Sequence, residues 1–226
     1  MSNSPLVDYT QYSPNNYGLR TMPICRITPH CVVGQCTVES LGTWFAQKST
    51  AASSNYGIGK DGKVGMYNPE NVAAWCSSSR INDEQAVTIE CASEMTFPYK
   101  MNDCVYNKLV DLCIDICRRN GKTILKWMPN SEEALSYKPS NNEMILTVHR
   151  WFAATACPGD WLLSRLASLS TVVTNKLSSE NALGTDLYRV QVGAYRIKSN
   201  AESCLERVKA AGFENSYIVT VKDYFA

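Results

Sequence analysis

The run from 102 to 120 constrains this chain most. Val105, Leu109, Leu112, Cys113, Ile116 and Cys117 recur at three- and four-residue steps, which predicts a helix with a single apolar stripe. Asn102 stands where a cap belongs, Arg118 and Arg119 suit the negative end, and Gly121 supplies the terminating turn. Shorter apolar runs surround it. Residues 24–33 read as a strand ended by Gly34, with Pro29 pointing to an edge or bulged position because it lacks a ladder donor. Residues 86–92 alternate, with Val87, Ile89 and Cys91 on one face and Thr88, Glu90 and Ala92 on the other. Asp61-Gly62, between two short apolar runs, predicts a hairpin. Residues 124–128 read as a short strand, and a polar loop leads on to the apolar run that ends at His149. Thr37 caps a short helix through Val38, Leu41, Trp44 and Phe45, and another helix starts after Pro158-Gly159 and carries Leu162, Leu163, Leu166, Leu169 and Val173. Residues 1–24, rich in Asn, Ser, Pro and Tyr, read as an extended arm with turns.

The 226 residues are 45% hydrophobic and 19% charged, enough apolar matter for a core. Twenty-two basic against 21 acidic residues give a net charge of +1, which argues against a nucleic-acid partner. No run approaches the roughly 18 apolar residues of a membrane span, so no membrane insertion is expected. The first residues hold neither a basic nor an apolar signal region, so no signal peptide is expected. Without an export signal, and with irregular spacings, most of the ten cysteines read as reduced, buried small hydrophobes. Cys25, Cys31 and Cys36 lie close enough in sequence to pair under oxidising conditions. Residues 177–185 read as a linker after a main domain at 1–176. Residues 186–226 then read as a compact βαβ unit, with strands at 187–194 and 216–221 around a helix at 200–211. About forty residues bury little core alone.

Histidine occurs only at His30 and His149. Cys157 lies eight positions after His149 and opens Cys-Pro-Gly before a helix. Two imidazoles and a thiolate suit Zn2+ and leave a fourth tetrahedral position for water. Spacing alone is equally met by two core-facing side chains. Glu90 is the candidate acid/base, although its strand pattern by itself reads as a solvent-facing carboxylate.

Ile27-Thr28-Pro29-His30-Cys31, the segment 53–62, Val87-Thr88-Ile89-Glu90 and the segment 149–159 occur together in this order. The set resembles the zinc-dependent N-acetylmuramoyl-L-alanine amidases of the type-2 amidase and peptidoglycan-recognition-protein superfamily, nearest the phage or prophage endolysins of Gram-positive bacteria. Over roughly 1–175 the resemblance implies an α/β fold: a central mixed β-sheet flanked by helices, with a surface zinc cleft. It implies His30, His149 and Cys157 as zinc ligands, Glu90 as catalytic acid/base, and Thr155 at a position where relatives carry Lys or Thr. Ser54 falls where another branch carries a catalytic Tyr. The implied substrate is bacterial peptidoglycan, cut between the lactyl group of N-acetylmuramic acid and L-alanine, by a lysin made in the host cytoplasm and acting on the cell wall after release. The segment 187–195, with Ala210-Ala211-Gly212-Phe213, resembles half of a SPOR repeat. Such a half implies a glycan-binding unit or a homodimer that completes the sheet. Three other readings stay open at this point: a non-catalytic peptidoglycan-binding protein, a Cys–His peptidase using Cys157 or Cys31, and a purely structural zinc site.

Overall fold

The computed structural model describes residues 2–183 and 190–220. The chain divides into two compact units, Met1–Leu183 and Gly184–Ala226.

The first unit is built on a seven-stranded sheet. In spatial order its strands are β1 (Val7–Thr10), β5 (Val64–Met66), β4 (Tyr56–Ile58), β7 (Ala86–Cys91), β3 (Arg26–Cys31), β9 (Glu143–Leu146) and β8 (Ile124–Lys126). Only the β4–β5 pair is antiparallel, so the sheet is mixed. A small antiparallel pair, β2 (Asn16–Leu19) with β6 (Val72–Ala74), stands apart from it. Helices α3 (Asp103–Arg119) and α6 (Leu166–Leu183) supply Val105, Leu109, Leu112, Ile116, Leu166, Leu169 and Val173 to one apolar core with Ile27, Val87, Ile89 and Cys91. The stripe read from 102–120 is the face that is buried. Helix α1 (Val38–Phe45) packs with Tyr67 in a second cluster. The short α2 (Arg80–Gln85) lies beside β6 and β7, and the short α4 (Ser131–Ser136) stands between β8 and β9 in the chain. Burial of β3 and β7 along nearly their whole length is what covered parallel strands require.

Local signals hold at α1 and at the hairpin. Thr37 closes a capping box with Ser40. The turn between β4 and β5 uses Gly62 at φ +81°. Gly57 in β4 leaves room for its neighbours: a Cβ there would sit 2.7 Å from both Leu41 Cδ2 and Tyr67 Cε2.

Other expectations change. Pro29 lies in a central strand, not at an edge. The β3–β9 pairing stops at Ile27↔Leu146, with Thr147 N–H donating to the Ile27 carbonyl, so the Pro29 nitrogen faces the side where β9 has ended. Asn102 makes no side-chain cap. Its amide instead donates to Gln35 Oε1 and to the Lys60 carbonyl. The arm with turns read over residues 1–24 is tied down by pairing: β1 adds a parallel edge strand to β5 and β2 pairs with β6. The helix after Gly159 is two helices, α5 (Asp160–Leu163) and α6. Finally, α6 continues through 177–183, where a linker was expected. Leu177 extends the Leu166, Leu169, Val173 face and is buried, so apolar burial outweighs the polar Ser-Ser-Glu-Asn composition.

The second unit contains α7 (Lys198–Ala210), close to the expected helix. Residues 190–194 and 216–220 are not strands; the remaining expected strand residues, 187–189 and 221, lie outside the described residues. Val190, Val192, Tyr195, Phe213, Tyr217 and Val219 are all exposed.

At the start of β9, Glu143 accepts from Lys126 Nζ of the edge strand β8 at 2.5 Å, from Tyr137 Oη at 2.8 Å and from Ser140 N at 2.9 Å. These donors, Lys126 first, hold its carboxyl down at about 2. A carboxylate depressed in the fold stabilises above its ordinary pKa and loses that contribution as pH falls toward the folded value. Glu143→Gln is therefore expected to cost about 1–3 kcal/mol at pH 7. Urea unfolding should show the gap from wild type closing between pH 4.5 and about 2.

Candidate metal centre

The site begins with strand register. β3 and β7 run parallel with His30 opposite Glu90, two residues beyond the Thr28↔Thr88 pair. Alternation sends Ile27, Val87, Ile89 and Cys91 into the apolar core. The other face carries Thr28, Thr88, His30 and Glu90. Beneath the His30–Glu90 row, Thr28 and Thr147 hydroxyls meet at 2.7 Å, Asn82 donates to Thr28, and Asn55 brackets Thr88 through its backbone and its side chain. These polar groups are buried and paired with one another.

His149 opens the 3₁₀ turn His149–Trp151 just after β9, and Cys157 lies in the loop before α5. The ligand atoms of His30, His149 and Cys157 all fall within 4.8 Å of one another. Cys157 Sγ is 3.3 Å from His30 Nδ1, and the two imidazole centroids are 5.0 Å apart. The Cys157 loop is braced by Arg150, which donates to the carbonyls of Cys157 and Ala156 and to Asp160. Thr155 is exposed, and its hydroxyl oxygen accepts from Cys157 N–H at 3.2 Å. That contact shapes the loop and leaves the Thr155 O–H able to donate. Ser54 has no part in the cluster; it is fully buried and donates to the Tyr56 carbonyl.

Electrostatics suit a cation. Burial, reinforced by His149, pushes the His30 imidazole down to about 3, and burial lowers His149 as well. Both rings are neutral at pH 7, the form that binds a metal. A hydrogen bond with Cys31, then burial and Glu90, push the Cys157 thiol far up, so a cation beside it is what would ionise it. Glu90 is not the solvent-facing carboxylate its pattern resembled. Its side chain is 17% exposed, Oε1 lies 3.8 Å from His30 Nδ1, and Oε2 is buried without a partner. Burial lifts its pKa to about 7.

Three residues of the site carried no sequence signal. Cys76 Sγ stands 3.3 Å from His30 Nε2 and 3.9 Å from Glu90 Oε1, so a second donor group shares His30. Ser78, at φ +61°, places its hydroxyl 3.0 Å from His149 Nε2. Asp83 accepts from Cys76 N–H, Ser77 N–H and Ser77 Oγ, and so fixes the loop that carries both. Spacing could not separate Cys76 from nine other cysteines; all ten are free thiols.

The family described as N-acetylmuramoyl-L-alanine amidase matches residues 20–160, more than half of the chain and the whole stretch that holds these residues. The chain belongs to that family. Solved structures share the fold. The endolysin N-acetylmuramoyl-L-alanine amidase LysCS from Clostridium intestinale is 16% identical, with a TM-score of 0.53 over 74% of this chain and 97% of its own. The hydrolase AmiA of Staphylococcus aureus is 13% identical, with a TM-score of 0.54 over 80% and 87%. Human PGRP-IBETAC, solved with a glycosamyl muramyl pentapeptide, is 14% identical, with a TM-score of 0.52 over 73% and 96%. No curated protein matches the chain.

Within this amidase-family chain the 76–78 loop depends on one carboxylate. Asp83→Ala leaves the buried Ser77 N–H and the part-buried Cys76 N–H without this acceptor, so it is expected to destabilise the fold by about 1–3 kcal/mol. Urea unfolding measures that loss.

Proposed function

We propose that this chain is a zinc-dependent peptidoglycan amidase of the endolysin type. It would hydrolyse the amide between the lactyl group of N-acetylmuramic acid and L-alanine, acting on the bacterial cell wall after release. The observation that carries the reading is the convergence of His30, His149 and Cys157 within 4.8 Å beside a buried glutamate lifted to about 7. Membership of the amidase family and the endolysin likeness support it.

Two neutral imidazoles and one ionisable thiol are a donor set that fits Zn2+ with a position to spare. When bound, zinc would polarise the scissile carbonyl and acidify water. Glu90, with a pKa near neutrality and an unpaired oxygen, can take a proton from the attacking water and return it to the leaving amine nitrogen. Thr155 can donate its O–H to the developing oxyanion, and Arg150 keeps that loop in place. No helix among the described residues is long and apolar enough to cross a membrane.

For residues 186–226 we propose a SPOR-like half repeat that engages wall glycan or pairs with a second copy. The exposed Val190, Val192, Tyr195 and Tyr217 support an unfilled surface there. In the paired case sedimentation would show a dimer that truncation at Leu183 abolishes; a monomer in both forms would remove the homodimer.

The chemistry is tested by release of free N-terminal L-alanine from purified Gram-positive peptidoglycan. Release should stop with a zinc chelator and bring no new reducing ends. Wall binding without release would favour a non-catalytic binding protein. Glu90→Gln should keep one zinc and lose roughly 10²–10⁴-fold in turnover; unchanged turnover would remove Glu90 from the role. Cys157→Ser should fail to retain zinc through dialysis, and full occupancy would count against the ligand set.

A further inference from the structure

We infer that Phe97 is a carbohydrate-stacking residue at the rim of the metal centre, and that the glycan of the substrate, not its stem peptide, lies against this ring. The inference rests on the amidase reading above and assigns the sugar-binding side of that site. Strands β3 and β7 carry His30 and Glu90, and the loops that leave their carboxyl ends are tied to each other. Val33 N–H donates to Ser93 Oγ at 3.1 Å, and Ser93 N–H donates to the Gly34 carbonyl at 3.1 Å. These loops expose apolar side chains at the mouth of the cleft: Val33, Met95 at 74% and Phe97 at 70%. Val33 holds a φ of +57°, a conformation that costs a β-branched residue most.

The loop that carries Phe97 is exposed at its tip and fixed at its base. Glu94 N–H donates to the Lys100 carbonyl at 2.7 Å, and Tyr99 N–H donates to the Thr96 carbonyl at 2.8 Å across Phe97-Pro98. The Pro98 carbonyl accepts from Trp161 N–H of α5 at 3.1 Å. Gly159 completes the seat. A Cβ there would lie 3.0 Å from both the Pro98 oxygen and Tyr99 Cβ, so the loop rests directly on the segment that follows Thr155 and Cys157. An edge-to-face contact with Tyr99, centroids 6.4 Å apart at 77°, orients the Phe97 ring. Most of the ring nevertheless stays in water, so its burial adds little to the fold. A large apolar ring held still beside a reactive centre is preorganised for a ligand. The proposed substrate extends from its scissile amide in two directions. On the acyl side stands a pyranose, whose C–H face an aromatic ring can cover without a charged partner. On the amine side runs a stem peptide that ends in a carboxylate. The loop tip, Met95-Thr96-Phe97-Pro98-Tyr99, has no charged side chain to meet one. Chemistry therefore favours the sugar.

The test uses the full chain and three soluble probes. A GlcNAc–MurNAc pentapeptide and an N-lactoyl pentapeptide share the scissile amide, and only the first has a sugar. The peptide-free GlcNAc–MurNAc disaccharide reads binding without turnover, by titration calorimetry. Phe97→Ala should weaken disaccharide binding about 5–10-fold, and Phe97→Trp should retain it. Phe97→Leu, apolar but not flat, should behave like Phe97→Ala. On the disaccharide pentapeptide the loss should enter through KM rather than kcat, and on the lactoyl pentapeptide KM should not rise. Equal KM penalties on both substrates would assign the ring to the stem peptide and overturn the proposal. A wild type that binds no disaccharide, or a Phe97→Ala protein that binds it as the wild type does, overturns it as well. Disaccharide binding that depends on Phe97 in a protein that cuts neither substrate would instead overturn the amidase reading and leave the sugar site standing.

Discussion

The parallel register of β3 with β7 is the constraint on which the rest depends. It sets His30 beside Glu90 on one face and puts Ile27, Val87 and Ile89 into the apolar core on the other. A slip of one residue would exchange the two faces and place an imidazole and a carboxylate among the leucines of α3 and α6. The same apolar burial that stabilises the sheet therefore sets the geometry of the site. The donors that complete it come from loops at the carboxyl ends of the parallel strands, where open α/β sheets leave room for a ligand.

That arrangement carries a cost that the surrounding residues offset. A sheet face buried with threonines, asparagines and a histidine destabilises unless each polar group is paired. Asn55, Asn82 and Thr147 supply those pairs beneath the cleft, and Asp83 supplies them to the loop above α2. Glu90 Oε2 is an exception, buried and without a hydrogen-bond partner. Strain is kept in the same place, since Ser78 holds a left-handed backbone conformation while it touches His149.

Period-2 and period-3.6 patterns are dictated by which face is buried, so β7, α1, α3 and the β4–β5 hairpin were legible in the sequence. What stayed hidden depends on partners distant in the chain. β1 and β2 are strands only because β5 and β6 lie beside them. Pro29 misled because edge and centre differ along one strand: β9 ends before reaching it. The polar segment that begins at 177 misled because Leu177, buried on the face of α6, continues that helix into it. At the site, His30, His149 and Cys157 stood out through scarcity and resemblance, and the fold brings all three together. Cys76 was invisible, since its importance is a position next to His30 that no spacing encodes.

The first and last members of the trio are separated by 127 residues, with most of the first unit threaded between them. Closing so long a loop is an entropic debt settled late, after the local helices and the hairpin have formed. During synthesis β3 emerges early, yet one of its flanks stays bare until β9 leaves the ribosome. The cluster is thus a marker of completion: its three members can meet only once the chain has been made as far as Cys157.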